Sequence, residues 1–480
     1  MERASSSERY SFGEFRLDVS EWRVERHDGR ACGALPEKAF QTLVYLVRNG
    51  GKLVPKEEFL SAIWPGTVVE ENNLGKAIHA IRSFLGEHSG DPKYIQTVPK
   101  HGYRFVAEVT PLLVGSGMNG IPASAGTLPI HSPAFDLYLR GKVKASSENR
   151  EDTEAAIKVL EAAVAIDPKL AGAYAQLARA YNTLAFKFSS IADGKHYHEN
   201  AEIAILKALA LDPDLAEGHF ARGLILWTNT KGFPHEQAIQ SYKRSLTIDP
   251  NSDEAHHQLS TVYAHIGLLD EAHQSVRRAL EINPNNTMAR FRVGVYYAYQ
   301  GKFDDALRVF KTIPRDVSPM LVDRCIADVL VQIGSLSEAD AMVEHYLENF
   351  PQDEGGSFAS VKAVLLAKKG RATEADVAIE RALRIGRGFG HFHHTAHNIA
   401  SAYAAMKRPD EAVKWLEHAS DDGFPNLPYF EIDPNLNKVR RHPRFVKFVA
   451  KLRPQWERFK KDAEVDRSVE HYILAASKGE

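Results

Sequence analysis

The sequence predicts a mainly α-helical protein of two unlike parts, a small α+β domain followed by an all-α solenoid of repeats. Three observations lead there. Apolar helical stretches close on an acidic residue or asparagine plus proline at Asp167-Pro168, Asp212-Pro213, Asp249-Pro250 and Asn283-Pro284, and the proline spacing settles to 34 residues. Residues 111–133 are dominated by Gly, Pro, Ser and Ala, carry no acidic or basic charge and hold no period, which reads as a linker. Before them, short strand-like runs and turn signals alternate with three helical stretches. The expected divisions are 10–108 for the first domain, 109–133 for the linker, 134–423 for the repeats and 424–480 for C-terminal capping helices.

Composition bounds the function. Among 480 residues, 60 Lys and Arg face 62 Asp and Glu, a net charge of −2, which excludes a chain that is basic all over but permits a local basic surface. Apolar residues at 44% and charged residues at 25% fit a globular chain rather than a disordered one. The two cysteines, Cys32 and Cys325, cannot build a disulfide framework or a four-cysteine zinc site. The first residues hold no apolar run, and Pro111–Gly115 is too short to span a bilayer. A cytoplasmic protein with no membrane partner is expected.

Taken in order, Tyr10–Phe12, Phe15–Asp18 and Trp22–Glu25 read as short strands, with a hairpin turn signal at Asp28-Gly29. A helix follows from about Pro36 to Arg48, with Ala39, Leu43, Leu46 and Val47 at helical spacing; proline in its first turn costs no hydrogen bond. Asn49-Gly50-Gly51 stops it. A second helix, Lys56–Trp64, ends before Pro65-Gly66. The third, Asn72–Leu85, lines up Leu74, Ile78, Ile81 and Leu85 on one face. It turns Asn72, Asn73, Lys76, His79, Ala80 and Ser83 to the other, and Gly86 ends it. Tyr94–Val98 and Tyr103–Val106 then form a hairpin around Pro99-Lys100-His101-Gly102. Residues 1–110 contain 15 basic and 15 acidic residues, yet Asn72–Arg104 holds five basic against two acidic, a local net charge of +3.

Strand, three helices, hairpin is a winged helix-turn-helix order. Residues 10–108 resemble the OmpR/PhoB-type effector domain of bacterial transcription regulators. The resemblance is carried by Phe12–Asp18, by Leu35-Pro36-Glu37-Lys38-Ala39-Phe40, by Leu60 with Ile63-Trp64, and above all by Ile95-Gln96-Thr97-Val98 with Gly102-Tyr103-Arg104-Phe105. It implies a third helix in the major groove of DNA, a wing on the adjacent groove or backbone, and a loop after helix two that touches RNA polymerase. Matching positions are Asn73, Lys76, His79, Ala80 and Arg82 on the helix, and Lys100, His101, Tyr103 and Arg104 in the wing. The loop runs from Trp64 through Thr67 and Glu70 to Glu71. Family members often carry arginine where Ala80 stands; alanine can touch a thymine methyl but cannot read guanine, so base readout falls to Asn73, Lys76 and His79. Phosphate contacts would make binding salt-dependent, and two domains on adjacent half-sites, as a homodimer, would bind more tightly. With no receiver-like sequence before residue 10, the organisation resembles the HilA-type regulators. It differs from the ToxR/CadC-type members in lacking an apolar spanning segment.

In the second part, the cleanest unit runs from Asp253 to Asn286. Leu259, Ser260, Tyr263, Gly267, Ala272, Val276, Ala279 and Pro284 fit the tetratricopeptide pattern. Ala272 and Ala279 let two helices approach, Tyr263 and Val276 fill between units, and Pro284 cannot continue the second helix. The same phase extends in both directions to about eight units, with an insertion near Phe186–His198. The resemblance implies a solenoid whose concave face takes a protein or peptide, or a second copy of the chain. Pro443–Lys451 and Gln455–Asp462 read as two capping helices.

His391, His393, His394 and His397 cluster, and His393 and His397 stand four apart as a helical metal pair would. With no acidic or cysteine ligand at motif spacing, packed and solvated histidines are the expectation, so no metal and no cofactor are expected. Gly386-Arg387-Gly388-Phe389-Gly390 lacks the strand and the Lys-Ser/Thr of a phosphate loop and reads as a turn. No catalytic constellation stands at motif spacing, so an enzyme is not expected. The expected function is DNA-binding transcription regulation. The alternative is a tetratricopeptide scaffold whose winged helix docks protein instead of DNA.

Overall fold

The computed structural model describes residues 9–19, 22–27, 35–63, 71–87, 93–98, 101–111, 132–147, 149–314 and 318–478. The Asp28-Gly29 turn, the loop from Trp64 to Glu70, the Pro99-Lys100 turn and residues 112–131 lie outside them. The chain forms two compact units, Met1–Ile130 and His131–Glu480.

In the first unit, β1 (Arg9–Phe12), β2 (Phe15–Asp18) and β3 (Arg23–Arg26) precede α1 (Glu37–Arg48), β4 (Leu53–Pro55), α2 (Lys56–Ile63) and α3 (Glu71–Phe84). β5 (Ile95–Val98), β6 (Gly102–Phe105) and β7 (Val109–Pro111) complete it. The strands form two antiparallel sheets, β3-β2-β1-β7 and β4-β6-β5. Alternation places Tyr10, Phe12, Phe15 and Leu17 inward, where Phe12 and Phe15 meet Tyr94 and Phe105. Leu43 and Leu46 of α1 and Leu74, Ile78 and Ile81 of α3 close the same core.

Two strands depart from the sequence reading. β4 pairs with β6, and β7 pairs with β1 at Tyr10–Pro111. At three residues each they are too short for a sequence pattern to mark them, and their partners make them strands. Residues 109–111, placed within the expected linker bounds, therefore belong to the domain's first sheet. Trp22 is a turn residue outside β3, with its ring stacked on Phe40 at 4.8 Å.

The second unit is a succession of antiparallel helix pairs. They are α4 (Pro133–Ala145) with α5 (Arg150–Ile166), α6 (Ala171–Lys187) with α7 (Lys195–Leu211), α8 (Ala216–Leu226) with α9 (His235–Ile248), and α10 (Asp253–His265) with α11 (Leu269–Ile282). Then follow α12 (Thr287–Tyr299) with α13 (Phe303–Phe310), α14 (Pro319–Ile333) with α15 (Leu336–Asn349), α16 (Ser357–Lys368) with α17 (Ala372–Gly386), and α18 (Phe392–Ala405) with α19 (Pro409–Asp421). Ala272, Val276 and Ala279 have no exposed surface, as the close approach of α10 and α11 requires.

The C-terminal segment departs from expectation more strongly. After α20 (Leu427–Ile432), Pro443–Lys478 is a single helix, α21, that runs through Pro454. An interior proline costs about 3 kcal/mol, but the apolar stripe Phe445, Phe448, Leu452, Trp456, Phe459 and Ala463 continues across it at helical spacing and packs into the main core. The segment does more than cover the last repeat. The C-terminal ends of five first helices meet residues 391–456, through Phe186 and Trp227 against His391, His265 against His393, Tyr299 against Phe424, and Gln332 bonded to Tyr429. Asn426 Nδ2 donates to the Ala264 carbonyl at 2.8 Å, and Trp456 Nε1 to that of Gly267 at 3.2 Å. One hydrophobic core thus runs from Phe186 to Ala463. The chain itself fills the side on which those helix ends converge.

Candidate nucleic-acid interface

The geometry of the first unit begins at the helix α3. Its buried face is Leu74, Ala77, Ile78 and Ile81, and the opposite stripe exposes Asn73, Lys76, His79 and Ser83. This stripe is one exposed helix face, nearly three turns long. Ala80 lies at its edge, half-buried and packed against the core, so only part of its methyl faces out. The side chains of Glu71 and Asn72 are outside the described residues.

Arg82 does not join the stripe. Its Nη2 donates to the Ile95 carbonyl at 2.7 Å and to Thr97 Oγ1 at 2.9 Å. Glu87, just past the end of α3, is buried, and its carboxylate accepts from the backbone N–H groups of Tyr94 (3.1 Å) and Ile95 (3.2 Å). These two residues weld β5 to the end of α3 and fix the hairpin's angle to the exposed helix face. Sequence reasoning missed Glu87, since a lone glutamate after a helix looks like surface. Its only sequence signal is a carboxylate close before a strand whose first amides lack a described strand partner.

The hairpin places the other candidates unequally. His101 is exposed at the tip, Tyr103 is half-buried with its ring 6.1 Å from Phe59, and Arg104 is half-buried with Nε enclosed. Gly102 takes φ +153° beside β4, and a Cβ there would lie 2.0 Å from the Val54 carbonyl oxygen, so only glycine lets β4 and β6 close. Lys93, counted in the basic stretch, is paired with Glu14 at 3.1 Å, which raises its pKa. The tip residue Lys100 and the loop residues Trp64, Thr67 and Glu70 lie outside the described residues. The arrangement therefore presents Asn73, Lys76 and His79 on a helix and His101 on a hairpin tip, held to one another by Arg82 and Glu87.

Residues 30–105 match the family described as transcriptional regulatory protein, C terminal. The first unit is an OmpR/PhoB-type domain. Residues 235–291 and 394–421 match tetratricopeptide repeats, so the second unit is a tetratricopeptide array. Among curated proteins, the transcriptional regulator HilA of Salmonella typhi is 32% identical over 102 residues, 21% of this chain and 17% of that protein. The transcriptional activator CadC of Escherichia coli is 26% identical over 125 residues, 25% of this chain and 24% of that protein. The chain thus spans about a fifth of the curated relatives it matches. Among solved structures, the DNA-binding domain of E. coli CadC matches with 23% identity and a TM-score of 0.20, covering 22% of this chain and all of that one. A tetratricopeptide repeat protein from Parabacteroides merdae matches with 18% identity and a TM-score of 0.37, covering 53% of this chain and 93% of that one. Within the described residues no helix is long and apolar enough to cross a membrane.

Away from the OmpR/PhoB-type domain, the structure separates the two histidines that stand four apart. His397 turns to Asp433, Nε2 to Oδ2 at 3.0 Å, while His393 faces His265, His391 and His394. Burial pushes His393 down to about 3 and His235 to about 4, and holds His265, His391 and His394 well below the usual imidazole value. The Gly386–Gly390 stretch is a turn whose Gly388 carbonyl accepts from Ile191 N and Asn229 Nδ2.

Proposed function

We propose that the protein is a DNA-binding transcription regulator. α3 lies in the major groove with Asn73, Lys76 and His79 toward base edges and phosphate, and Ala80 offers a thymine-methyl contact at the edge. The hairpin, with Lys100, His101, Tyr103 and Arg104, reaches the adjacent groove or backbone. Arg82 leaves the contact set and acts through β5. The loop at Trp64, Thr67, Glu70 and Glu71 is the contact for RNA polymerase, and two copies occupy adjacent half-sites. The array takes a protein or peptide partner, or a second copy, on surface that its own C-terminal segment leaves open. The cell compartment is the cytoplasm.

One observation carries this reading. The OmpR/PhoB-type domain exposes a polar stripe bearing Lys76 on the helix whose other face is locked into the core. Duplex binding by the full chain, followed by fluorescence anisotropy across a salt series, tests it. Affinity is expected to fall steeply with salt, and Lys76→Ala and Lys100→Ala to flatten the slope by about one each. A chain that binds no duplex at low salt, yet retains protein partners at high salt after nuclease treatment, would favour the scaffold reading.

A further inference from the structure

The polar interior of the tetratricopeptide unit holds a group of side chains that packing alone does not explain. His265 ends α10, while His391 caps and His393 and His394 open α18, more than a hundred residues later. One ring nitrogen from each of the four lies within 4.8 Å of all the others. We infer that these four histidines bind a zinc-class divalent cation, which ties the fourth repeat to the eighth.

The hydrogen bonds set the tautomers. His265 Nδ1 stands 2.8 Å from the Thr261 carbonyl, and His393 Nδ1 stands 2.8 Å from that of Asp422. A carbonyl only accepts, so each Nδ1 carries the proton and each Nε2 of the neutral ring is a bare lone pair. Both Nε2 atoms are buried without a hydrogen-bond partner, and so is His391 Nδ1. The rings of His265 and His393 are almost wholly enclosed. An enclosed acceptor left unpaired costs about 1–3 kcal/mol, and His265 and His393 each present one. His391 Nδ1, also enclosed and unpartnered, is a third lone pair in the tautomer that carries its proton on Nε2, and a cation serves all three at once.

The surroundings fit the same reading. Phe186 packs on His391, Trp227 on His265, Phe233 on His393 and Phe424 on His394. These rings form much of the wall, and Trp227 Nε1 is already engaged in donating to His235. Burial lowers the pKa of His265 and His391, and the Arg292 guanidinium lies close enough to lower both further. Carbonyls that hold the far nitrogen of a ring in this way are the usual outer support of metal-bound histidine. The Asp422 carboxyl lies 3.9 Å from His393 Nδ1 with Oδ2 buried and unpartnered, a group whose ionised form would be the counter-charge for a bound ion. His391 and His394 are half-buried, which leaves an approach from solvent. An all-imidazole set selects zinc, cobalt, nickel or copper over the oxygen-seeking calcium and magnesium. Tetrahedral zinc asks for nitrogens about 3.4 Å apart, so binding would draw the four rings closer together. His391, His393 and His394 stand together in the sequence, where spacing pairs His393 with His397 and no metal is expected; His265 arrives only through the winding of the repeats.

The test uses the untagged full chain, stripped with chelator and dialysed against zinc. Expected results are one zinc per chain, a nitrogen-only first shell by X-ray absorption, and a melting temperature raised by several degrees at saturation. His265→Gln and His393→Gln should each weaken zinc by about 100-fold, while the exposed control His345→Gln leaves it unchanged. Wild-type chain that retains no stoichiometric zinc overturns the inference, as does a shell containing oxygen or sulfur in place of the imidazoles. Equal zinc retention by wild type and folded His265→Gln overturns it too. If the variants do not fold, the wild-type stoichiometry and first shell decide alone.

Discussion

Among the described residues, the histidines of the first unit are exposed, while the second unit also buries a group of its own. In the OmpR/PhoB-type unit, His79 and His101 are exposed where a polyanion would approach, and the core beneath is apolar. In the tetratricopeptide unit, His235, His257, His265, His393 and His397 are buried. A small domain sorts its residues onto two faces of each element, so polar groups are left outside. A wound array must also fill the space where helix ends converge, and those ends bring in rings that single-helix patterning never assigned to a core.

Acidification should break this contrast most sharply. A histidine whose folded pKa lies below its unfolded value adds stability that is present above about pH 6.5 and lost as the pH falls toward the folded value. For His235 that window runs from about 6.5 down to about 4, and for His393 down to about 3. Each ring contributes about 1.4 kcal/mol per pH unit across its window. Asp422, raised to about 7 by burial, works in the opposite sense, as do Asp253, Asp328 and Asp353, whose carboxyls burial also raises, but nine lowered histidines outnumber these four. The metal-free repeat unit is therefore expected to lose stability steeply between pH 6.5 and 4 by calorimetry; a flat profile would show the rings to be hydrated.

The next largest effect tests the weld in the first unit. Glu87→Ala leaves two strand amides without their carboxylate and should cost about 3 kcal/mol in denaturant unfolding, with Glu87→Gln recovering part. Asn426→Ala removes both the bond to Ala264 and the cap on Tyr429 N. It should cost about 2 kcal/mol and loosen the C-terminal segment, read as faster hydrogen exchange in α20 and at residues 264–268. Smallest in stability is Lys76→Ala. It is expected to change unfolding by less than about 0.5 kcal/mol while lowering the salt slope of duplex binding by about one. A stability loss comparable to that of Glu87→Ala would mean that the exposed stripe also holds the fold.

Much of this was legible in sequence. The period of three and four placed Leu74, Ile78 and Ile81 inward and Asn73, Lys76 and His79 outward, because a helix face depends only on spacing. The repeat phase placed Ala272 and Ala279 between helices for the same reason. β4 and β7 were not legible, since three residues are too few for a pattern to mark and a strand is defined by its partner. Arg82 and Glu87 read as surface because their partners, the Tyr94 and Ile95 amides and the Ile95 carbonyl, lie beyond the helix that carries Arg82. The break expected at Pro454 failed because a buried stripe on both sides outweighs one missing hydrogen bond.

What the sequence by itself determined is local. It set the order of elements, the identity of each helix face, the repeat and the cationic stretch of the first unit, all of which follow from residues within a few turns of one another. What only the tertiary structure decided is which distant groups meet. Arg82 and Glu87 came to lock a strand, residues 424–463 came to fill the array, and His265 came to face His391, His393 and His394. Each depends on the cumulative winding of many elements, a quantity that no single stretch of sequence encodes.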